Sequence, residues 1–276
     1  MCRWIAYSGS PILLDSLLYK PAHSLIDQSL NAKLGPHTTN GDGFGVGWYG
    51  EGEIPVVYKG VDPIWNDRNM RELAPQVRSP LMFAHIRAAT GTPVQHSNCH
   101  PFRHGKWLWM HNGQIAGFRQ LKRDLVLAVD PALYPYIEGS SDTETFFFLA
   151  LTFGLDHDPP AAVEKAVGFI EEVAARHGIA SAMRMSVALS DGETVWAFRY
   201  ASDASPPPSL FFSTRVETLR AQYPEVPVFQ ALSDESRLVV SEPLGQRAGA
   251  WNEVPAGCVG VIKPGEDELV PFVPHS

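Results

Sequence analysis

Hydrophobic residues along this chain occur mainly in short runs that are rich in Val, Ile, Phe, Trp and Tyr and are often bounded by turn residues. β-Branched and aromatic residues in such runs favour strands over helices. The pattern predicts strands at residues 2–8, 43–49, 54–59, 81–86, 107–111, 184–190, 194–200, 209–213, 237–241 and 257–262.

In the middle of the chain the spacing changes to that of helices. The clearest pattern covers 159–178, where apolar residues recur every third or fourth position, Pro159 suits the first turn and Gly178 suits the end. Residues 118–129 carry their apolar side chains on one face, and residues 142–153 are almost wholly apolar after the first turn, as in a buried helix.

Many strands with a central block of helices indicate an α+β fold built of layers, rather than alternating βαβ units. The proline-rich stretch 201–209 is short enough to be a loop, and the sequence contains no internal repeat. We therefore expect a single domain over residues 2–276.

Composition narrows the class of protein. Of the 276 residues 45% are hydrophobic and 19% are charged, and acidic residues outnumber basic ones by 30 to 22 without a basic block. Nucleic acid and anionic membrane are therefore not expected as partners, because both require clustered Lys and Arg. The N-terminus does not resemble a secretory signal, and the three cysteines are widely spaced, so we expect a reduced, cytoplasmic protein. Nucleotide-binding glycine motifs are lacking, and no cofactor is expected.

Cys2 is the first candidate for chemistry. A cysteine at the start of a strand is often a small buried hydrophobic residue. Removal of Met1, however, would give Cys2 a free α-amine beside its thiol. Such an amine titrates near pH ~8 and can take the thiol proton, as in N-terminal nucleophile enzymes.

Arg87 and Asn112 each follow an apolar run. Arg87 can be a surface residue past a strand, or its planar guanidinium can bind a small carboxylate with help from the Thr90 hydroxyl. Asn112 and Gly113 can form a hairpin turn, or the Asn112 amide and the Gly113 N–H can stabilise an oxyanion together.

Asp142 follows Ser141, and Glu144 completes a capping box at the start of the predicted helix 142–153. The Asp142 carboxylate can also bind a substrate ammonium, and both roles are compatible.

Histidines cluster around Cys99, so a zinc site has to be considered. They lack the helical spacing of metal-binding histidine pairs, and glycines and prolines interrupt the region. We interpret His100, which precedes Pro101, as a pocket-wall residue, and expect no metal. The histidines concerned are His85, His96, His100, His104 and His111.

Gly43, Gly45 and Gly47 alternate along a predicted strand. Glycines cost stability in a strand, and these would share one face. They indicate a close approach by another backbone or by a ligand.

The order of these segments resembles the glutaminase domain of class II glutamine amidotransferases, which are N-terminal nucleophile (Ntn) hydrolases. Residues 2–155 carry the core motifs, and residues 156–276 contain later pieces that resemble the stand-alone, YafJ-like subgroup. In chain order the segments are Cys2, Asp42-Gly43, His85-Ile86-Arg87 with Thr90, Asn98-Cys99-His100-Pro101, His111-Asn112-Gly113, Ser141-Asp142-Thr143-Glu144, Ser241-Glu242-Pro243 and Trp251-Asn252-Glu253.

The resemblance implies a four-layer αββα sandwich and a thiol hydrolase that cleaves a γ-glutamyl amide through a γ-glutamyl-thioester. By resemblance, Cys2 is the nucleophile with its own amine as base, and Asn112 and Gly113 form the oxyanion hole.

The implied substrate-binding residues are Arg87 and Thr90 for the α-carboxylate and Asp142 for the α-ammonium, with His100 in the pocket wall. Ala88 and Gly91 depart from the Trp and His that many family members have there. The substrate is then a small molecule, either glutamine or another γ-glutamyl compound.

Several alternatives stay open at this point. The leaving amine is not determined, so the reaction can be the glutaminase half-reaction of an amidotransferase or the hydrolysis of a γ-glutamyl peptide. Ammonia transfer would need a separate partner chain, and the possible partners are a synthase or a hydrolase. The alternative to an enzyme is a catalytically silent γ-glutamyl-binding or regulatory subunit, and a zinc hydrolase built on the histidine cluster is the third hypothesis.

Overall fold

Two antiparallel β-sheets packed face to face form the centre of the protein. The computed structural model describes residues 2–35, 38–89, 91–245, 247 and 249–275. Within them the first sheet has the spatial order β11 (Trp251–Glu253), β9 (Phe211–Ser213), β10 (Arg237–Val240), β1 (Arg3–Leu13), β4 (Arg78–Ile86), β2 (Phe44–Trp48), β3 (Val56–Gly60). The second has the order β13 (Glu266–Pro271), β12 (Cys258–Lys263), β8 (Val195–Ala201), β7 (Met183–Ser190), β6 (Trp107–Ile115), β5 (Phe102–His104).

Helices cover the outer face of each sheet. The first sheet packs against α1 (Asp15–Leu18), α2 (Leu25–Asn31), α3 (Arg68–Leu73), α7 (Val216–Gln222) and α8 (Pro227–Ala231). The second packs against α4 (Phe118–Leu127), α5 (Asp142–Thr152) and α6 (Pro159–Arg176). Short 3-10 turns lie at Ile64–Asn66, His96–Asn98 and Tyr134–Tyr136. Among the described residues, no helix combines the length and the apolar character needed to cross a bilayer.

Alternation along β1 shows why the layers form. Trp4 and Ala6 face the other sheet and pack with Leu108 in the core between the sheets. Ile5 and Tyr7 face the opposite way, into the core under the helices. Because successive side chains of a strand point to opposite faces, a central strand that is apolar on both faces must be covered on both. The result is the expected α+β, four-layer αββα sandwich.

The predicted central helices are confirmed. α5 begins with the expected cap, since the Ser141 side chain accepts a hydrogen bond from the Glu144 N–H at 3.2 Å. The second half of the predicted capping box is not formed, because the Glu144 carboxylate accepts from the Glu138 and Gly139 N–H groups instead of from Ser141. α6 begins after Asp158, whose side chain accepts from the Ala161 N–H at 3.1 Å, and Gly178 follows its end with a φ of +76°.

The predicted strands are all present, with ends that differ by a few residues. The sequence pattern missed the strands β5, β11 and β13 and the helices α1, α2, α3, α7 and α8. β5 and β11 have only 3 residues each, and β13 is an exposed, acidic edge strand. The missed helices have 4 to 7 residues, too short for a clear period, and depend on tertiary packing.

The glycine stripe on β2 serves a close approach by protein backbone. A Cβ at Gly45 would overlap the carbonyl oxygen of His100, and one at Gly47 would lie 2.9 Å from Leu108 and from Pro101. The expected close approach is confirmed, and the neighbour is a backbone segment that enters the wall of the cavity described below.

Candidate active site

Cys2 lies immediately before β1, in the middle of the first sheet. β1 pairs with β4 in a register that sets Arg3 opposite Ile86. Cys2 is therefore next to the residues that follow β4, and the Ala88 N–H lies 3.4 Å from the Cys2 Sγ. The pairing of β1 with β4 thus brings Cys2 close to Arg87, although the two residues are far apart in sequence.

The environment of the Cys2 thiol keeps it protonated. Burial raises the pKa of the Cys2 thiol, while the Ala88 backbone and the positive charges of Arg87 and Arg3 act in the opposite direction without reversing the shift. A thiol of this kind becomes a nucleophile only when a neighbouring base removes its proton.

Arg87 is buried, and its guanidinium is held by the loop that follows it. Nη2 donates to the Thr92 Oγ1 at 2.5 Å, and Nη1 donates to the Pro93 carbonyl at 3.1 Å. The Asp42 carboxylate accepts from the Ala89 N–H at 2.8 Å and so fixes the start of the same loop. Thr90 lies outside the described residues, so its predicted role stays a prediction.

Thr92 and Asp42 are therefore functional candidates that the sequence reasoning did not assign. Thr92 could have been noticed in the sequence, because it is a second threonine two positions after Thr90. The Asp-Gly pair at 42–43 was noted, but its contact with the loop after β4 depends on strand pairing.

Asn112 and Gly113 lie on β6, in the second sheet. The Asn112 Nδ2 donates to the Cys2 carbonyl at 3.0 Å, so the amide is adjacent to the candidate nucleophile. Gly113 has a φ of +152°, and a Cβ there would overlap the Arg184 carbonyl and lie 2.6 Å from the His111 Nε2. Only glycine fits this position without displacing β7 or the His111 ring.

Asp142 occupies the first turn of α5. One carboxylate oxygen accepts from the Ile115 N–H at 2.9 Å, and the other accepts from the Thr143 N–H at 2.8 Å. These backbone donors fix the carboxylate at the edge of the cavity. The capping and binding roles predicted for this segment are divided, because Ser141 caps the helix and Asp142 lines the cavity.

His100 is buried in the cavity wall, with its ring 4.1 Å from that of His85. Burial lowers the pKa of His85 to about 3 and that of His100 well below its usual value, and it also lowers the pKa of His111. These neutral rings are packing groups. Within the described part of the chain, no group of three or more His, Cys, Asp or Glu side chains is placed to hold a metal ion.

One cavity of about 840 Å³ brings the candidates together. Cys2, Arg87, His100, Gly113 and Asp142 all line it, although they come from both sheets and from the start of α5. Asn112 reaches it through its hydrogen bond to Cys2. Gln114, Phe118, Arg119, Gln120 and Lys122 extend the lining along the end of β6 and the first turns of α4.

A second group of charges holds Cys2 from the other side. We call Arg3, His23, Asp27 and Glu242 the anchor cluster. The Arg3 guanidinium donates to the Cys2 carbonyl at 2.9 Å and to the Glu242 carboxylate at 2.7 Å. His23 lies between two carboxylates, at 2.5 Å from Glu242 and 2.6 Å from Asp27. Cys2 is thus fixed through its carbonyl by Arg3 as well as by Asn112.

The charges of the anchor cluster shift one another's pKa values. Burial alone would raise the pKa of Glu242, but hydrogen bonds from His23 and from the backbone N–H groups of Lys33 and Leu34, together with the Arg3 charge, lower it to about 2. Burial alone would lower the pKa of His23, but its bonds to Glu242 and Asp27 raise it. Glu242 is therefore ionised near neutral pH, and the raised pKa of His23 favours its protonated form.

Comparisons with known proteins agree with this geometry. The family model described as glutamine amidotransferases class-II matches residues 23–275. The Saccharomyces cerevisiae protein named "Probable glutamine amidotransferase DUG3" is 33% identical, with 95% of this chain and 82% of that protein covered. The structure of a glutamine aminotransferase class-II domain protein from Silicibacter pomeroyi superposes with a TM-score of 0.76 at 32% identity, covering 99% of this chain and 100% of that one.

A third relative has a more specific name. The γ-glutamyl-hercynylcysteine sulfoxide hydrolase of Mycobacterium tuberculosis is 36% identical over 117 residues, which cover 42% of this chain and 50% of that protein.

Proposed function

The chain belongs to the class II glutamine amidotransferases, and on that premise we propose that it hydrolyses γ-glutamyl amides through a thioester on Cys2. The family and its hydrolase relatives make the chain an amidohydrolase. The role of each site residue is part of the proposal.

One observation carries it. The cavity of about 840 Å³ presents a thiol, a guanidinium and a carboxylate from distant parts of the chain, namely Cys2, Arg87 and Asp142. A γ-glutamyl group has one α-carboxylate and one α-ammonium beside its scissile amide. Arg87 and Asp142 match these two charges, and Cys2 lies next to Asn112 of β6, the strand that carries both candidate oxyanion donors.

In the first half-reaction the Cys2 Sγ attacks the γ-carbonyl carbon. The α-amine of Cys2, which is free once Met1 is removed, takes the thiol proton and later delivers it to the departing amine. Met1 itself lies outside the described residues. The C–N bond breaks, and the γ-glutamyl group remains on sulfur as a thioester.

The negative oxygen that forms during attack needs fixed donors. We assign this role to the Asn112 amide, which donates to the Cys2 carbonyl at 3.0 Å, and to the neighbouring Gly113 N–H. Removing one such donor typically costs ~10²–10³ in rate. In the second half-reaction water attacks the thioester, with the same amine as base. Glutamate leaves, and the Cys2 thiol is restored.

The proposal also covers the domain organisation, the partners and the cellular location of the protein. Residues 2–276 act as one domain, with a small-molecule substrate and without nucleic acid or a membrane as partner, in the cytoplasm. Transfer of ammonia to an acceptor would take place on a separate partner chain. The alternative, a catalytically silent subunit that binds γ-glutamyl compounds, needs no nucleophile in the cavity. Cys2 is therefore the residue whose substitution separates the two functions.

The test combines intact mass with covalent labelling. A glutamine-like diazoketone should add one label to Cys2 in protein that has lost Met1, and Cys2→Ala should abolish both labelling and glutamate release from γ-glutamyl amides. Cys258, a half-buried residue on β12, offers the matched control, since Cys258→Ala should keep both.

Active protein that retains Met1, or glutamate release by Cys2→Ala at the wild-type rate, would overturn the proposal. A folded protein that binds γ-glutamyl ligands without labelling or turnover would support the silent subunit instead.

A further inference from the structure

A second cavity, of about 570 Å³, lies next to the catalytic one. His100 lines the catalytic cavity and the next residue, Pro101, lines the second cavity, so the two lie on opposite sides of one short segment of chain. Among the residues that the structure describes, they share no lining residue. The volume of the second cavity suits a small-molecule ligand.

Aromatic rings form one part of its lining. The centre of the His104 ring lies 4.9 Å from that of Tyr136 and 5.7 Å from that of Phe148, and both contacts are edge-on. Burial lowers the pKa of His104, so this ring is neutral near neutral pH. Tyr136 is 58% exposed although it lines the cavity. Its ring therefore has a face that a ligand ring can contact.

Charged side chains form the other part of the lining. Lys59 on β3 holds its ammonium 5.0 Å from the centre of the Phe102 ring, and Arg103 on β5 donates to the neutral carbonyl of Pro55 at 3.0 Å. Glu138 is exposed at the edge of the cavity. Within the described part of the chain, Lys59, Arg103 and Glu138 form no ion pair.

Lys59 and Glu138 act on each other through space without direct contact. Burial lowers the pKa of Lys59, and the negative charges of Glu144 and Glu138 oppose this shift without reversing it. The Glu144 carboxylate already accepts from the Glu138 and Gly139 N–H groups, at 3.0 and 2.7 Å. A ligand that carries an anion and a cation close together would therefore bridge the Lys59 ammonium and the Glu138 carboxylate.

We infer that the second cavity binds a free α-amino acid with an aromatic side chain. Its carboxylate contacts Lys59 and Arg103, its ammonium contacts Glu138, and its ring lies against Tyr136. The two cations, the carboxylate and the exposed ring then serve one ligand. This site is separate from the γ-glutamyl site, and it does not depend on the hydrolysis proposed above.

Calorimetric titration with L-phenylalanine tests the inference. Three analogues each lack one of the recognised groups: phenylpropionate lacks the ammonium, L-phenylalaninamide lacks the carboxylate, and L-cyclohexylalanine lacks the aromatic ring. We expect each analogue to bind about fivefold more weakly than L-phenylalanine, which is the factor expected for one partly exposed charge or ring contact. Binding of L-phenylalanine should also weaken as salt is added.

Substitutions then locate the ligand. Tyr136→Ala and Lys59→Gln should each weaken binding of L-phenylalanine about fivefold, and the exposure of Tyr136 keeps the first variant folded. Tyr134→Ala is the matched control, because Tyr134 belongs to the same 3-10 turn and is 56% exposed but does not line the cavity. Lys165, whose ammonium lies 5.3 Å from the centre of the Phe153 ring, is the control for Lys59. Tyr134→Ala and Lys165→Gln should bind as wild type.

Absence of binding, equal binding of all four compounds, or binding that Tyr136→Ala and Lys59→Gln leave unchanged would overturn this inference. Loss of binding in Arg87→Lys instead would also overturn it, since the amino acid would then occupy the catalytic cavity. These outcomes leave glutamate release and the labelling of Cys2 unaffected, so failure of this inference is distinguishable from failure of the proposed function.

Discussion

Cys2 lies between two groups of charged side chains that differ in where their charges are compensated. In the anchor cluster, Arg3, His23 and Glu242 are buried and paired with one another at 2.5–2.7 Å. On the cavity side, the hydrogen-bond partners of Arg87 in the described part of the chain are neutral oxygens, and Arg119 has no ion pair there. The charges of the first group are thus compensated by one another, whereas no such ion pair is found for Arg87 or Arg119 within the described residues.

This difference assigns the two groups different tasks. Removing one member of a buried, paired network leaves a buried charge without its partner and lowers the stability of the fold. Such a network therefore holds the chain in one geometry. An incompletely paired group is held in place by dipoles and retains its field for a charged substrate. We therefore expect substitutions in the anchor cluster to affect mainly stability, and substitutions on the cavity side to affect mainly kinetics.

The largest effect should come from Gly113→Ala on the cavity side. The added methyl group would overlap the Arg184 carbonyl and so shift the backbone of Gly113, whose N–H is one of the two proposed oxyanion donors, and kcat should fall by about 10²–10³. Steady-state kinetics on a γ-glutamyl amide measures this. Gly105→Ala is the control, because Gly105 also has positive φ, at +51°, but has no neighbour within 4 Å of a Cβ. Equal losses in the two variants would contradict the assigned role.

Glu242→Gln tests the anchor cluster. It leaves the buried charges of Arg3 and His23 without their carboxylate, and the free energy of unfolding should fall by about 3 kcal/mol in urea titrations. Glu225→Gln removes an exposed partner of Arg247 and should cost less than about 1 kcal/mol. If Glu242→Gln costs no more than this control, the anchor cluster does not hold the fold.

Arg87→Lys tests the kinetic side at constant charge. Lysine cannot form the two parallel hydrogen bonds of a guanidinium with a carboxylate, so KM should rise about ten- to a hundredfold with a smaller change in kcat. Arg103, which donates to the Pro55 carbonyl from β5, offers a conservative control, and Arg103→Lys should leave KM unchanged. A selective fall in kcat would place Arg87 in the chemistry rather than in substrate binding.

The smallest effect concerns pH. Glu242 has a folded pKa of about 2, below its unfolded value near ~4.3, so its contribution to stability is present above about pH 5 and is lost as the pH falls toward 2. The folded pKa of His23 is raised, so its contribution is present below the unfolded value near ~6.5 and is lost as the pH rises through the folded one. Unfolding titrations of wild type and His23→Gln should therefore differ most below neutral pH. A difference that grows above pH 8 would contradict this assignment.

Local patterns were sufficient for much of the fold. The β1 segment, the Ser141 cap of α5 and the periodic α6 could be predicted because each depends on residues close in sequence. The strands β5 and β11 could not, because three residues are too few for a recognisable pattern. β5 is defined only by its pairing with the next strand, β6, and β11 only by its pairing with the more distant β9. Family resemblance supplied the site roles of Cys2 and Asn112, and the proposed experiments now test them.

The sequence alone determined a cysteine at position 2, the motif residues Arg87, Asn112 and Asp142, and enough alternating strands for a layered sandwich. Only the tertiary structure decided that Arg3 and Glu242, which are 239 residues apart, would meet beside Cys2, and that Arg119 would share the same cavity. The physical reason is the distance along the chain over which each kind of interaction acts. Periodicity and capping act over a few residues, whereas buried charge pairs and cavity walls form only where sheets and helices that are distant in sequence pack together.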